Sequence, residues 1–151
     1  MKLVLVVEDE YGSAQALGLL LECEGYAVGI AANGRIALER MAHARPDLIV
    51  SDYMMPVMNG AQLGHVVRAR AEWASIPIVL TSAADETRVR GEFAGYDAFL
   101  RKPFDAGQLV SLVTRLLADP GATPARGPAG LDGVDPSRDE LRPPPEPPIE
   151  R

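Results

Sequence analysis

Hydrophobic positions along this chain switch between two periods. Leu3-Val4-Leu5-Val6-Val7, Leu48-Ile49-Val50 and Ile76-Pro77-Ile78-Val79-Leu80 are continuous apolar runs. Ala27-Val28-Gly29-Ile30 and Ala98-Phe99-Leu100 are weaker ones. Runs that do not alternate suit strands buried on both faces, as in a parallel sheet covered by helices. Helical patterns fill the spaces between. Leu109, Leu112, Val113, Leu116 and Leu117 recur at i, i+3, i+4, i+7 and i+8, which marks an amphipathic helix, with Asp105 as its N-cap. Leu17, Leu20 and Leu21 predict a helix before Gly25. Ala37, Leu38 and Met41 predict one entered at Asn33-Gly34. Leu63, Val66 and Val67 predict a third, and Val89 and Phe93 a short fourth. The order βαβαβαβαβα predicts an α/β fold, a doubly wound five-stranded parallel sheet with right-handed crossovers.

Open parallel sheets bind ligands beyond the C-terminal ends of their strands, so the residues following each run matter most. Glu8, Asp9 and Glu10 follow Val7. Asp52 follows Ser51, Thr81 and Ser82 follow Leu80, and Lys102 follows Arg101. Glu8, Asp9 and Asp52 put three carboxylates on one rim, where they raise one another's pKa unless a cation neutralises them. An oxygen-only ligand set suits a hard divalent ion, and Mg2+ needs only one or two carboxylates plus water. An Asp held beside Mg2+ and a Lys can act as a nucleophile toward phosphorus. The Lys102 ammonium and the Thr81 hydroxyl are suited to the other equatorial oxygens.

Composition sets the limits of the domain. Nine of the 13 prolines and four glycines fall in residues 119–151, whose large aliphatics are only Leu131, Val134, Leu141 and Ile149. Such a segment buries too little apolar area to offset its ordering entropy. The expected organisation is a domain over 1–118 and a disordered Pro/Gly-rich tail over 119–151. Arg142-Pro143-Pro144-Pro145-Glu146-Pro147-Pro148 suits polyproline II, though a solvated tail is the simpler reading. Net charge is -6, which argues against sequence-independent nucleic-acid binding. The single cysteine excludes an intrachain disulfide and a Cys-rich zinc site. No apolar run is long enough to span a membrane, and the N-terminus lacks a signal-peptide cleavage site. A cytoplasmic location is expected.

Four segments resemble the receiver domains of two-component response regulators: VLVVEDE at 4–10, DLIVSDYMMPVMNG at 47–60, PIVLTS at 77–82 and DAFLRKPF at 97–104. The resemblance implies a flavodoxin-like sheet of strand order 2-1-3-4-5 and Asp52 as phosphoacceptor. It implies Mg2+ held by Asp9, Asp52 and the backbone carbonyl of Met54, with Glu8 acting through a metal-bound water. Lys102 and Thr81 would contact the phosphoryl group, as would the backbone N–H groups of Met54 and Ser82. Thr81 and Phe99 would form the switch, acting on the face of the fourth helix, fifth strand and fifth helix. The Lys102-Pro103 bond would be cis. Glu8 departs from the pattern, since Asp is commoner there, and should tune metal affinity.

The resemblance also implies partners: a sensor histidine kinase or a histidine phosphotransfer protein upstream, and a downstream protein through that face. The tail is too short and acidic for a DNA-binding output domain, so direct DNA binding is not expected. By the same resemblance Met54 and Ala83 would flank the path of the hydrolytic water, and neither side chain orients water, which predicts slow self-dephosphorylation. Two alternatives remain open. One is a receiver-like scaffold independent of phosphorylation. The other is a phosphohydrolase, against which Met54 argues by standing where such enzymes carry a second Asp. Other residues read as structural: Cys23 as a small buried hydrophobe, Met54, Met55 and Met58 as loop filling, and His43 and His65 as surface or satisfied histidines with no partner at metal-ligand spacing. Tyr53 is either packing or a modulator of access to the site.

Overall fold

The computed structural model describes residues 1–118. Residues 119–151, expected as a disordered tail, lie outside the described residues. Ten elements alternate as the periodicity predicted: β1 Leu3–Val7, α1 Tyr11–Cys23, β2 Ala27–Ala31, α2 Gly34–His43, β3 Leu48–Asp52, α3 Gly60–Ala69, β4 Ile78–Ser82, α4 Glu86–Glu92, β5 Ala98–Arg101 and α5 Ala106–Ala118. The strands are parallel and ordered β2-β1-β3-β4-β5, the flavodoxin-like arrangement.

Each central strand is apolar on both faces because each face meets its own core. Val4 and Val6 of β1, with Leu48 and Val50 of β3, join Leu21 of α1 and Leu109 and Val113 of α5. Leu5, Val7 and Ile49 point the other way and join Met41 of α2, Leu63 and Val67 of α3 and Val89 of α4. Strand side chains alternate faces with a period of two, so a strand shared by two cores shows no polar alternation.

Local chemistry stops the elements where the sequence predicted. Gly25 follows α1 with φ of +97°, a conformation open to glycine at little steric cost. Asn33 caps α2 through its side chain, which accepts from the N–H groups of Arg35 and Ile36 at 2.9 and 3.0 Å. Asn59 and Gln62 form a reciprocal capping box at α3. Asp105 precedes α5, and Gln108 reaches back to its N–H at 3.0 Å. The run from Ile76 enters the sheet only at Ile78. Pro77 has no N–H to give a ladder, though its carbonyl accepts from Ile49 at 3.0 Å.

One reading is overturned. Cys23 is exposed, not buried among apolar neighbours. Ala14, Gly18 and Leu21 define the buried face of α1, and Cys23 lies roughly 200° around the helix from Leu21.

Candidate functional site

Four strand ends and one loop build the site. Asp52 is the last residue of β3 and pairs in register with Thr81 of β4. Both are buried. Glu8, just past β1, is anchored by its N–H to the Ala31 carbonyl at 2.9 Å. Lys102, just past β5, donates its N–H to the Ser82 carbonyl at 2.8 Å. Its ammonium then reaches inward, 3.2 Å from Asp52 Oδ2 and 3.4 Å from Glu8 Oε1. The second Glu8 oxygen accepts from the Glu10 N–H at 3.2 Å. Oxygens of Glu8, Asp9 and Asp52 lie within 4.8 Å of one another, a spacing that fits an oxygen-liganded divalent ion. Asp9 is exposed while its two neighbours are buried.

The loop after Asp52 folds back tightly. The Gly60 N–H bonds to the Tyr53 carbonyl at 2.9 Å, and a Cβ at Gly60 would stand 2.5 Å from the Asp52 carbonyl oxygen. Only glycine fits that approach. Val57 in the same loop has φ of +68°, which is strained for a β-branched residue. The loop is secured at Met58, whose carbonyl accepts from the Gly34 N–H at 3.0 Å. Lys102-Pro103 is cis, as the resemblance implied.

Burial pushes the carboxyls of both Asp52 and Glu8 above their ordinary values. The Asp52 charge adds to the rise at Glu8, and Lys102 opposes it at both. Burial pulls the Lys102 ammonium down, but the charges of Asp52 and Glu8 outweigh it, leaving its pKa raised. The carboxyls thus bind protons more readily in the folded chain than in the unfolded one. Their contribution to stability is full below the unfolded values of about 3.9 and 4.3, and it is lost as pH rises through the folded values. At neutral pH the charged Asp52 therefore costs stability. Asp52→Asn is expected to raise the unfolding free energy by about 0.5–2 kcal/mol at pH 7 and by much less near pH 4, in thermal melts with chelator. An equal gain at both pH values would contradict this origin.

The structure brings Glu8, Asp9, Asp52, Thr81 and Lys102 together on one rim, and Ser82 ends the adjacent strand. Glu10 does not join them; its side chain caps α1 by accepting from the Ser13 N–H at 2.7 Å. The methionines divide. Met55 and Met58 pack against the core, whereas Met54 is 61% exposed at the rim and fills nothing. Tyr53 is buried in the core, which favours packing. Phe99 is half-buried against the same core, 5.9 Å from Tyr96 between ring centroids. His43 and His65 sit on different helices; His65 pairs with the Glu92 carbonyl at 2.7 Å. Sequence reasoning missed Tyr96, Glu86 and Arg90, which no motif marks.

A doubly wound sheet with a carboxylate cluster, a hydroxyl and an ammonium at its C-terminal rim makes an α/β domain whose site suits a divalent ion and an anionic group. The chain belongs to the response regulator receiver domain family, whose pattern matches residues 4–114. It is 39% identical over 118 residues to the response regulator Rre1 of Synechocystis sp., covering 76% of this chain and 51% of that protein. It is 35% identical to the probable transcriptional regulatory protein TcrX of Mycobacterium tuberculosis, covering 80% and 51%. The chain thus spans about half the length of the curated relatives it matches. Among solved structures, the chemotaxis response regulator CheY4 of Vibrio cholerae superposes with a TM-score of 0.72 at 34% identity, covering 78% and 99% of the two chains. The response regulator TrrA of Thermotoga maritima, solved with Mg2+ and beryllofluoride, gives 0.68 at 29%, covering 78% and 100%. Receiver domains are signalling switches of two-component systems and are phosphorylated by histidine kinases. Among the described residues no helix is long and apolar enough to cross a membrane.

Proposed function

We propose that the protein is a phosphorylation-driven switch that takes a phosphoryl group on Asp52 from a phosphohistidine of a sensor kinase or a phosphotransfer protein. The observation that carries this is the Lys102 ammonium seated between Asp52 and Glu8, with Thr81 in register beside Asp52. An Asp52 carboxylate oxygen attacks phosphorus, an O–P bond forms, and the P–N bond to the donor imidazole breaks, its electron pair staying with the leaving nitrogen. Lys102 neutralises one phosphoryl oxygen, the Thr81 hydroxyl donates to another, and the N–H groups of Met54 and Ser82 hold the remainder. Asp9, Asp52 and the Met54 carbonyl would hold Mg2+, with Glu8 acting through a water; bound there, the ion offsets charge on the phosphoryl oxygens.

The signal then passes by population shift. Thr81 drawn toward the phosphoryl group frees space for Phe99, and the face of α4, β5 and α5 is repacked for a downstream protein. Within these 151 residues the acidic balance favours protein contacts over DNA, and the reading sets the protein in the cytoplasm. It entails no turnover of an external substrate. The alternative, a scaffold that works without phosphorylation, is separated by Mg2+-dependent labelling with a small phosphodonor, which only the switch undergoes.

Loss of the phosphoryl group is expected to be slow, because Met54 at the rim cannot orient water. Met54→Asn adds a side-chain amide at that place. It is expected to speed dephosphorylation by about tenfold, less than a full general base supplies, in timed mass spectra after donor removal. Equal rates in the two proteins would refute the role of this position.

A further inference from the structure

Helix α4 has only seven residues, and Asp85 at its N-cap makes no side-chain capping bond. A helix this short does not hold itself, so its position depends on what braces it. At its C-terminal end Phe93 is buried. The Phe93 ring fills a slot left by two glycines: a Cβ at Gly64 or Gly95 would stand 2.4 or 2.8 Å from it. At its first turn the brace is Tyr96, from the segment joining α4 to β5. The buried Tyr96 donates its hydroxyl to Glu86 Oε2 at 2.6 Å, a short charge-assisted bond. Arg90 ties both groups, with Nη2 at 2.9 Å from the same carboxylate oxygen and Nε donating to the Tyr96 oxygen at 3.3 Å. The Tyr96 ring lies 5.9 Å from Phe99 and 6.4 Å from Phe93. One buried side chain thus touches the β5 aromatic, the start of α4 and its end.

We propose that Tyr96 is the positioning residue that carries movement of Phe99 to α4, its ring following Phe99 and its hydroxyl pulling the first turn through Glu86. The inference rests on the phosphorylation-driven reading above and names the side chain that transmits it. Close packing leaves Phe99 little room to move without displacing the ring against it. The bond to Glu86 then makes α4 follow. Burial and the Glu86 carboxylate raise the Tyr96 pKa, so the phenol stays a donor at neutral pH.

Hydrogen–deuterium exchange of the full chain, with and without Mg2+ and beryllofluoride, tests this. In the wild type, peptides spanning Asp52, Thr81 and α4 are expected to change exchange rate on adding the phosphoryl mimic. In Tyr96→Phe, which keeps the ring, the α4 change is expected to fall at least about twofold, while that at Asp52 and Thr81 persists. Glu86→Gln retains an acceptor for the hydroxyl and should keep the α4 response, and Glu86→Ala should lose it. A purely structural brace would alter melting temperature in Tyr96→Phe but leave the α4 response equal to wild type, and that result overturns the proposal. A wild-type response at Asp52 and Thr81 without one at α4 overturns it too. No response anywhere in the wild type would sink the switch reading itself.

Discussion

Replacing Lys102 with alanine is expected to slow phosphoryl uptake from acetyl phosphate by about 10²-fold or more, the usual consequence of deleting one preorganised charge at a reacting oxyanion. Lys102 is the cation whose ammonium touches Asp52, at 3.2 Å, and the strand end fixes it there through its backbone bond to Ser82. Its removal leaves the buried carboxyls of Asp52 and Glu8 facing each other. Their pKa values, already raised by burial, rise further in the metal-free site. The rate is read from the mass gain against time at saturating Mg2+. Lys102→Arg is expected to recover little, since the planar guanidinium does not reproduce a point charge between two carboxylates. A wild-type rate in Lys102→Ala would remove Lys102 from the chemistry.

The second large effect is on stability. Arg68, at the end of α3, donates to the carbonyls of Gly95, Ala74 and Ile76 at 3.0, 3.1 and 2.7 Å and pairs with Asp97 at 2.9 Å. The Asp97 carboxylate is 4% exposed and also accepts from the Ile78 N–H at 2.8 Å. One guanidinium thereby joins α3, the entry to β4 and the entry to β5. Alanine there takes the cation from a buried carboxylate and the donors from three carbonyls. The expected loss is about 3–5 kcal/mol, a large share of the roughly 5–15 kcal/mol that holds a domain folded. Urea unfolding measures it. Arg68→Lys should recover only part, because an ammonium cannot serve that fork of acceptors. A loss below about 1 kcal/mol, the range of a surface pair, would refute the staple.

Much of this was legible in the chain. The apolar runs marked all five strands because a strand shared by two cores leaves no polar alternation to confuse with a helix. Gly25 and Asn33-Gly34 marked helix boundaries through local backbone chemistry. The rim was legible because parallel strands all present their C-terminal ends on one side. What escaped depends on pairing between distant positions. Arg68 and Asp97 are 29 residues apart, and Lys102 and Glu8 are 94 apart. Neither spacing has a local signature. No motif marks Tyr96; its hydroxyl bond to Glu86, ten residues away, sets it apart. Cys23 was misread because apolar neighbours in sequence do not fix a helix's rotation; the buried face set by Ala14, Gly18 and Leu21 does.

The central claim is that Asp52 accepts a phosphoryl group with the help of a divalent ion. Intact mass measurement after incubation with acetyl phosphate tests it, comparing protein with Mg2+, protein with EDTA, and Asp52→Ala with Mg2+. The account predicts a gain of about 80 Da, one phosphoryl group, in the first sample and none in the other two. A gain that survives in Asp52→Ala would contradict it. So would no gain in the wild type together with failure to form a beryllofluoride complex.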